Sequence, residues 1–349
     1  MNLNAAKLCL LGAALWPALV SAQVAVTTPI VGFDTLQVGG AQGGGSQINF
    51  LGTEFLASVK HVGATSSVTT TSLSDSLASW TDDQFNGANG PHYLEITSLQ
   101  GSTTAAGVGT IYLVSDTVAS TKTVTLATNL PAGLSTPVGY RIVKHWTIAG
   151  LFGATNTAGL QGGTSVTADH IQLWFGGSYE SYYYQTAGIG GTGWRRVGNQ
   201  SEDASGTIVR PDQSLIIKRG QPQGVAVTVI GEVKTGQTTV TVSPGFNFIP
   251  NPYSVAMTLA SCNIYTGNSA TGLAGGNIAT ADQLLAWNGS SYDTFYYQTS
   301  GIGGTGWRKV GDMTTDASAT PIPSLSSIII RRAAPGAFTW VMPQPPASF

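Results

Sequence analysis

Two tyrosine- and glycine-rich segments carry the side chains of this chain that are best suited to ligand binding. The first reads YYYQTAGIGGTGWRRVG from Tyr182, and the second reads FYYQTSGIGGTGWRKVG from Phe295. Aromatic rings beside arginine and glutamine can stack on a sugar ring and bond to its hydroxyl groups. The candidate glycan or interface contacts are therefore Tyr182, Tyr183, Trp194, Arg195, Tyr296, Trp307 and Arg308.

The same aromatic residues also have a structural interpretation. Successive strand residues alternate between faces, so the three tyrosines from Tyr182 cannot all be buried on one side, and we expect at least one to point outward. Trp194 and Trp307 would then anchor a core, since burying a tryptophan removes roughly 150 to 250 Å² from water. Outward tyrosines would form cross-strand ladders with Arg195 and Arg308.

Each segment also contains a literal G-x-G-x-x-G, from Gly188 and from Gly301. A dinucleotide site needs a helix after these glycines, so that the helix N-terminus meets the pyrophosphate. A strand-like Trp-Arg run follows in both copies. The pattern therefore predicts a glycine hairpin turn, and we expect no cofactor.

Acidic residues and histidines give no metal or catalytic motif. The duplicated acids are Asp169 with Asp282 and Asp203 with Asp316. They lie in no D-x-[DN]-x-[DN]-G loop, and turns or caps explain them more simply. None of the four histidines, at 61, 92, 145 and 170, has a familiar metal spacing, and no G-x-S-x-G elbow occurs. We therefore predict no metal and no catalytic activity.

The two segments belong to a long internal repeat. Trp194 and Trp307 are 113 residues apart, and the same offset aligns residues 167–219 with 280–332 without a gap. More than half of the aligned positions are identical. A repeat of this length indicates a folded unit used twice, which favours display, adhesion or assembly over a single catalytic centre.

Short runs rich in Val, Thr, Ile and Tyr, bounded by Gly, Asn, Asp and Pro, indicate strands throughout the chain. Short helical turns are expected only near residues 148–152 and 281–284. The sequence predicts an all-β protein with an N-terminal β region, followed by two homologous small β-sandwich or barrel-like modules. The predicted divisions are a signal peptide at 1–22, the N-terminal β region at 23–138, copy 1 at 139–222, copy 2 at 223–333 and a Pro-rich tail at 334–349. The four prolines of that tail predict an extended, loosely held segment.

Composition and the N-terminus indicate export. Lys7, the apolar run 8–15 and Val20-Ser21-Ala22 predict a signal peptide that is cleaved after Ala22. No second apolar stretch reaches the roughly 20 residues of a membrane-spanning helix. Only 9% of the residues are charged, the formal net charge is −2, and no Lys/Arg cluster suits a nucleic acid. The mature chain would keep one cysteine, Cys262, which we expect to be buried.

The order of elements resembles a β-module that recurs in exported bacterial proteins. In it, an Ala-Asp pair, an apolar strand with Trp, an aromatic hairpin, a Gly-Trp strand and a strand ending in two basic residues follow one another. The copies match it from Ala168-Asp169 to Lys218-Arg219 and from Ala281-Asp282 to Arg331-Arg332. The doubled GIGGTGWR, together with GFNFIPNPYSVAMTL, is similar to an uncharacterised family of secreted verrucomicrobial-type proteins. This resemblance covers residues 140–333 and implies export and a β-fold, without an assigned activity.

These observations lead to a hypothesis and two alternatives. The hypothesis is a secreted or cell-surface structural or adhesive protein that binds itself or other cell-surface components, because weakly charged sheets associate through edges and faces with little electrostatic penalty. The first alternative is a polysaccharide-binding protein that uses paired aromatic hairpins around Tyr183 and Tyr296, with avidity on a polymer. The second is an exported hydrolase, which would need paired carboxylates facing a cleft.

Overall fold

The structure is a computed structural model that describes residues 30–175, 178–288 and 291–344. The predicted signal peptide lies outside these residues. The regular secondary structure of the described chain consists almost entirely of antiparallel strands, and the predicted all-β class is confirmed. Its helices are a 3-10 turn, Gly87–Asn89, and α1, Ile148–Phe152, which lies where the sequence predicts a helical turn. The other expected turn, at 281–284, is wrong, because Gln283 already begins a strand.

The strands fall into four successive groups along the chain. The first group is β1 (Val31–Val38), β2 (Gln47–Leu51) and β3 (Phe55–Leu56). The second is β4 (Ser58–Ala64), β5 (Ser67–Val68), β6 (Ser72–Ser74), β7 (His92–Leu99), β8 (Ile111–Val118), β9 (Thr123–Leu126) and β10 (Val138–Lys144). The third is β11 (Trp146–Thr147), β12 (His170–Phe175), β13 (Ser178–Gln185), β14 (Gly193–Arg196), β15 (Ile208–Val209), β16 (Leu215–Arg219) and β17 (Val225–Val233). The fourth is β18 (Thr238–Val242), β19 (Gly245–Pro250), β20 (Met257–Thr258), β21 (Gln283–Trp287), β22 (Tyr292–Gln298), β23 (Gly306–Lys309), β24 (Pro321–Ile322), β25 (Ser327–Arg332) and β26 (Phe338–Met342).

The first and third groups share one hydrophobic core, which we call the first unit (residues 31–56 and 146–233). Its five-stranded sheet has the order β14-β13-β12-β16-β2, and a ribbon β1-β17-β3 packs with it. The alternation of side chains along β17 explains this packing. Val227 and Val229 point into the core, whereas Thr228 and Ile230 point outward.

The fourth group forms the second unit (residues 238–342), which repeats this arrangement. Its five-stranded sheet has the order β19-β25-β21-β22-β23, and β18 pairs with β26 as β1 pairs with β17. The registers correspond: Phe50 of β2 lies opposite Ile216, and Phe248 of β19 lies opposite Ile329, which is 113 residues after Ile216.

The second group forms an inserted unit (residues 58–144) between β3 and β11. It is a seven-stranded sheet of order β4-β10-β7-β8-β9-β6-β5 with its own core, which includes Leu94, Ile96 and Val124. The cores therefore divide the chain differently from the boundary predicted at residue 138. The N-terminal region supplies both β1 and β2 to the first unit, and β17, assigned from sequence to copy 2, also packs there.

The tail departs from its prediction as well. Strand β26 pairs with β18 over its whole length, and Trp340 is 1% exposed in the second core. The indole Nε1 of Trp340 donates to the Cys262 carbonyl oxygen at 2.8 Å. The expectation of a loosely held tail is therefore wrong for residues 338–342.

The two units meet through reciprocal aromatic contacts. The Phe50 and Phe248 rings stack, with centroids 5.8 Å apart and planes inclined by 7°. Phe50 lies edge-on to Tyr292 at 5.7 Å, and Phe248 lies edge-on to the equivalent Tyr179 at 5.6 Å. Contacts in which each side repeats the other's residues define a pseudo-two-fold relation.

Candidate functional site

The first glycine loop is held by a buried network beneath it. The Tyr183 hydroxyl donates to Gln185 Oε1 at 2.9 Å, and Gln185 Nε2 donates to the carbonyl oxygens of Ile189 at 2.5 Å and Gly191 at 2.9 Å. The Arg195 guanidinium donates to the carbonyl oxygen of Trp194 at 2.9 Å and to the carbonyl oxygen of Gly190. The loop is therefore a hydrogen-bonded hairpin turn, as the sequence predicts, with no helix after it.

The second copy reproduces this network. Tyr296 donates to Gln298 Oε1 at 3.1 Å, and Gln298 Nε2 donates to the carbonyl oxygens of Ile302 at 2.6 Å and Gly304 at 2.8 Å. The guanidinium of Arg308 again bonds the loop carbonyls. Both copies of the repeat therefore hold the glycine loop with the same hydrogen-bond network.

The candidate contact residues predicted from the sequence do not lie on the surface of the protein. Their side chains are all buried, with exposed fractions between 0% and 5%: Tyr182, Tyr183, Trp194, Arg195, Tyr296, Trp307 and Arg308. The inward face of β13 meets the core, and its other face is covered because Arg195 lies opposite Tyr183 and the His170 ring is 6.2 Å away. Their burial agrees with the structural interpretation, in which Trp194 and Trp307 anchor a core, and the paired-hairpin alternative loses its exposed contact residues.

The duplicated aspartates are structural. Asp169 is buried against Arg219, and Asp282 is buried against Arg332, whose Nη1 is 2.9 Å from the carboxylate. Asp203 and Asp316 each accept the N–H of the residue two positions later at 3.1 Å, as the turn interpretation predicts. Within the described ranges, no group of three or more His, Cys, Asp or Glu residues could hold a metal ion.

Strand β1 presents an open edge and an apolar face. Val31 is 60% exposed, Phe33 is 76% exposed, and Ile230, which lies opposite Phe33 on β17, is 61% exposed. The Ile30 carbonyl oxygen accepts from Val233 at 2.8 Å, so the even-numbered residues of β1 bond to β17. The backbone groups of the odd-numbered residues therefore point away from the sheet, and no strand of the described chain pairs with that edge.

The equivalent edge in the second unit is covered. The Thr239 N–H of β18 donates to the Gly109 carbonyl oxygen at 3.2 Å. The Thr239 hydroxyl donates to the Val108 carbonyl oxygen at 2.6 Å. Both acceptors belong to the inserted unit. The two units thus differ at this edge, since one is capped by protein and the other faces solvent.

A cleft of about 510 Å³ opens where the three units meet. The first unit contributes Trp174, Arg210 and residues 212–214, the second contributes residues 239–241, 243–244 and 246–249, and the inserted unit contributes Thr110 and Ile111. Trp174 is half-buried and follows the buried Leu173 in β12, and its ring contacts Tyr179 edge-on at 4.9 Å.

The charged groups of this cleft come from the loop between β15 and β16. Arg210 donates to both carboxylate oxygens of Asp212, at 2.9 and 2.7 Å. Burial opposes the positive charge of Arg210, but Asp212 outweighs it and raises the pKa of the guanidinium. Ser214 is 2% exposed, and its buried Oγ has no hydrogen-bond partner among the described residues.

Sequence reasoning missed these cleft residues and the β1 face. One signal could have found the cleft: the 113-residue offset places Pro323 and Leu325 at the positions of Arg210 and Asp212. A polar pair present in only one copy marks a place where the copies differ in role.

Cys262 is buried, as expected, and burial raises the pKa of its thiol to about 11. No helix in the described part of the chain has the length and apolar character needed to cross a membrane. Neither a protein-family model, nor a curated protein, nor a solved structure matches the chain. The resemblance to secreted verrucomicrobial-type proteins therefore stays a prediction.

Proposed function

We propose that this protein is secreted and acts outside the cell as a structural or adhesive β-repeat protein, without catalytic activity, that associates with further copies of itself. The observation that carries the proposal is the open edge of β1 with its exposed Phe33. The N–H and carbonyl groups of Val31 and Phe33 point away from β17 and their side chains are exposed, so this end of β1 can accept a further strand, whereas the Thr35 N–H already donates to Asp34.

Two features favour a second copy as the partner at this edge. The β1 strand contains one charged residue, Asp34, and neither the lysine nor the proline that commonly protects edge strands. The equivalent edge of the second unit already receives protein from the inserted unit, so the same type of surface is covered once within the molecule. The low net charge of −2 adds little repulsion between copies.

Light scattering coupled to size exclusion, on the chain from Gln23 to Phe349, tests this function. We expect oligomers whose proportion rises with protein concentration. The variant Phe33→Lys should shift the chain to monomer, since a lysine at an edge strand opposes pairing. Ile189→Lys is the matched control, because Ile189 is 73% exposed on the glycine loop, away from β1.

A monomer at every concentration and salt condition would contradict self-association. An equal effect of both lysine variants would contradict the assignment to β1. Binding to isolated cell envelopes without self-association would favour adhesion to other surface components instead.

A further inference from the structure

We propose that the cleft between the three units binds a neutral saccharide. The pseudo-two-fold relation makes two equivalent junctions between the repeated units, one closed and one open. At the closed junction, the Gly52 N–H donates to the Leu325 carbonyl oxygen at 2.9 Å, and Ser327 Oγ donates to that of Leu51 at 2.8 Å.

The open junction lacks the groups that close the other one. Pro250 stands at the position of Gly52 and has no N–H to donate. Ser214 stands at the position of Ser327, and its Oγ is buried and without a partner. The Ser214 N–H still donates to the Phe248 carbonyl oxygen at 3.3 Å. These residue differences between the copies therefore leave one of the two equivalent junctions open.

The chemistry of the opened junction selects the ligand class. Arg210 and Asp212 neutralise each other, so the pair offers both donors and acceptors without a net charge. The Gln213 amide, which lines the cleft, adds one donor group and one acceptor. Sugar hydroxyl groups both donate and accept, so they match this set better than a phosphate or a purely apolar ligand does.

Aromatic rings complete the match. Trp174 and Phe246 line the cleft, and Phe246 is 60% exposed. Flat apolar rings suit the C–H faces of a sugar ring, while the polar groups fix its orientation. The volume of about 510 Å³ lies within the roughly 300 to 1,000 Å³ of ligand pockets, which often occur at domain interfaces.

The buried Ser214 hydroxyl is a specific feature of the site. A buried polar group without a partner costs free energy, so a ligand hydroxyl that pairs with it gains affinity. Asp212 is the one carboxylate among the residues that line the cleft, whereas glycoside hydrolysis uses two. The cleft is therefore assigned to binding and not to cleavage.

Isothermal titration of the full mature chain with cellohexaose, chitohexaose, maltohexaose and laminarihexaose tests the proposal. We expect heat of binding with at least one of these neutral probes. Trp174→Ala and Ser214→Val should each weaken that binding about tenfold or more. An acidic oligogalacturonate is titrated in parallel to test the charge class.

The repeat supplies matched controls for these variants. Trp287→Ala removes the equivalent tryptophan, which is 37% exposed and does not line the cleft, and Ser327→Val alters the closed junction. Both should leave the affinity unchanged, and thermal melting of every variant verifies that it is folded. If none of the neutral probes binds, if only the acidic probe binds, or if Trp287→Ala weakens binding as much as Trp174→Ala, the proposal is overturned.

Discussion

At the scale of single residues, glutamine is the centre of each glycine loop. Gln185 accepts from a buried tyrosine hydroxyl and donates to two loop carbonyl groups, so one side chain joins the strand to the turn. Gln298 makes the same three bonds. A loop fixed in this way presents its tip isoleucine, Ile189 or Ile302, to solvent on a defined backbone.

Glu54 is a buried carboxyl whose titration should be measurable. It is 1% exposed, and burial, followed by the nearby charge of Asp34, raises its pKa from 4.5 to about 8. Between these values the unfolded chain has released the proton that the folded chain keeps. Because the folded state then binds more protons, the free energy of unfolding falls as the pH rises from 4.5 to about 8.

We predict that Glu54→Gln removes the part of the fall in unfolding free energy between pH 4.5 and about 8 that Glu54 causes. Denaturant unfolding of wild type and variant near pH 4.5 and near pH 8 gives the two slopes, and their difference isolates Glu54. Subtraction also removes the opposite contribution of His145, whose burial lowers its pKa to about 3. Asp34→Asn should flatten the wild-type slope in part, since it removes a neighbouring negative charge. An unchanged slope in Glu54→Gln would contradict the prediction.

At the scale of elements, the strands of the second unit could be predicted from sequence, whereas the role of the tail could not. Runs of apolar and β-branched residues, the pattern that indicates strands, occur in β19, β21 and β25. Prolines suggested a loose tail, but Pro335 and Pro343 flank strand β26 and do not interrupt its hydrogen bonding. The number of prolines was misleading, because their positions decide whether a strand can form between them.

The pairings of β1 and β2 were also beyond sequence reasoning. Strand β2 shares with β19 little more than the dipeptide Asn-Phe, at Asn49 and Asn247. The inserted unit separates β2 in sequence from β16, to which it bonds. For the tyrosines, alternation along the strand was sound reasoning, but the sequence did not reveal that Arg195 covers the second face.

We predict that removing β26 unfolds the second unit. A chain ended after residue 333 loses Phe338, Trp340 and Met342 from the core, each at most 3% exposed. The substitution Trp340→Ala alone should cost about 3 to 5 kcal/mol. Circular dichroism and urea unfolding measure both, with a chain ended after Gln344 as the control that keeps the strand. Equal stability of the two shortened chains would show that β26 contributes nothing to the core.

At the scale of the whole molecule, the inserted unit is fixed to the rest by a buried group of charges. Glu95 and Arg141 of the inserted unit lie 2.8 Å apart, and Lys234, between β17 and β18, also bonds to Glu95. Burial opposes ionisation of Glu95, but Arg141 and Lys234 hold its pKa below the usual range. Burial lowers the pKa of Lys234 to about 8. These charges join the inserted unit to the connection between the two repeated units.

The substitution Glu95→Gln should loosen that connection. It leaves Arg141 buried without its carboxylate, and breaking one side of a buried ion pair costs about 3 to 5 kcal/mol. Hydrogen exchange should accelerate at the Thr239 N–H, which donates to the Gly109 carbonyl oxygen of the inserted unit. Glu180→Gln is the control, because Glu180 pairs with Arg196 at an exposed site, where such pairs contribute about 0 to 1 kcal/mol. If both variants lose equal stability and exchange is unchanged at β18, the buried charges do not hold the units together.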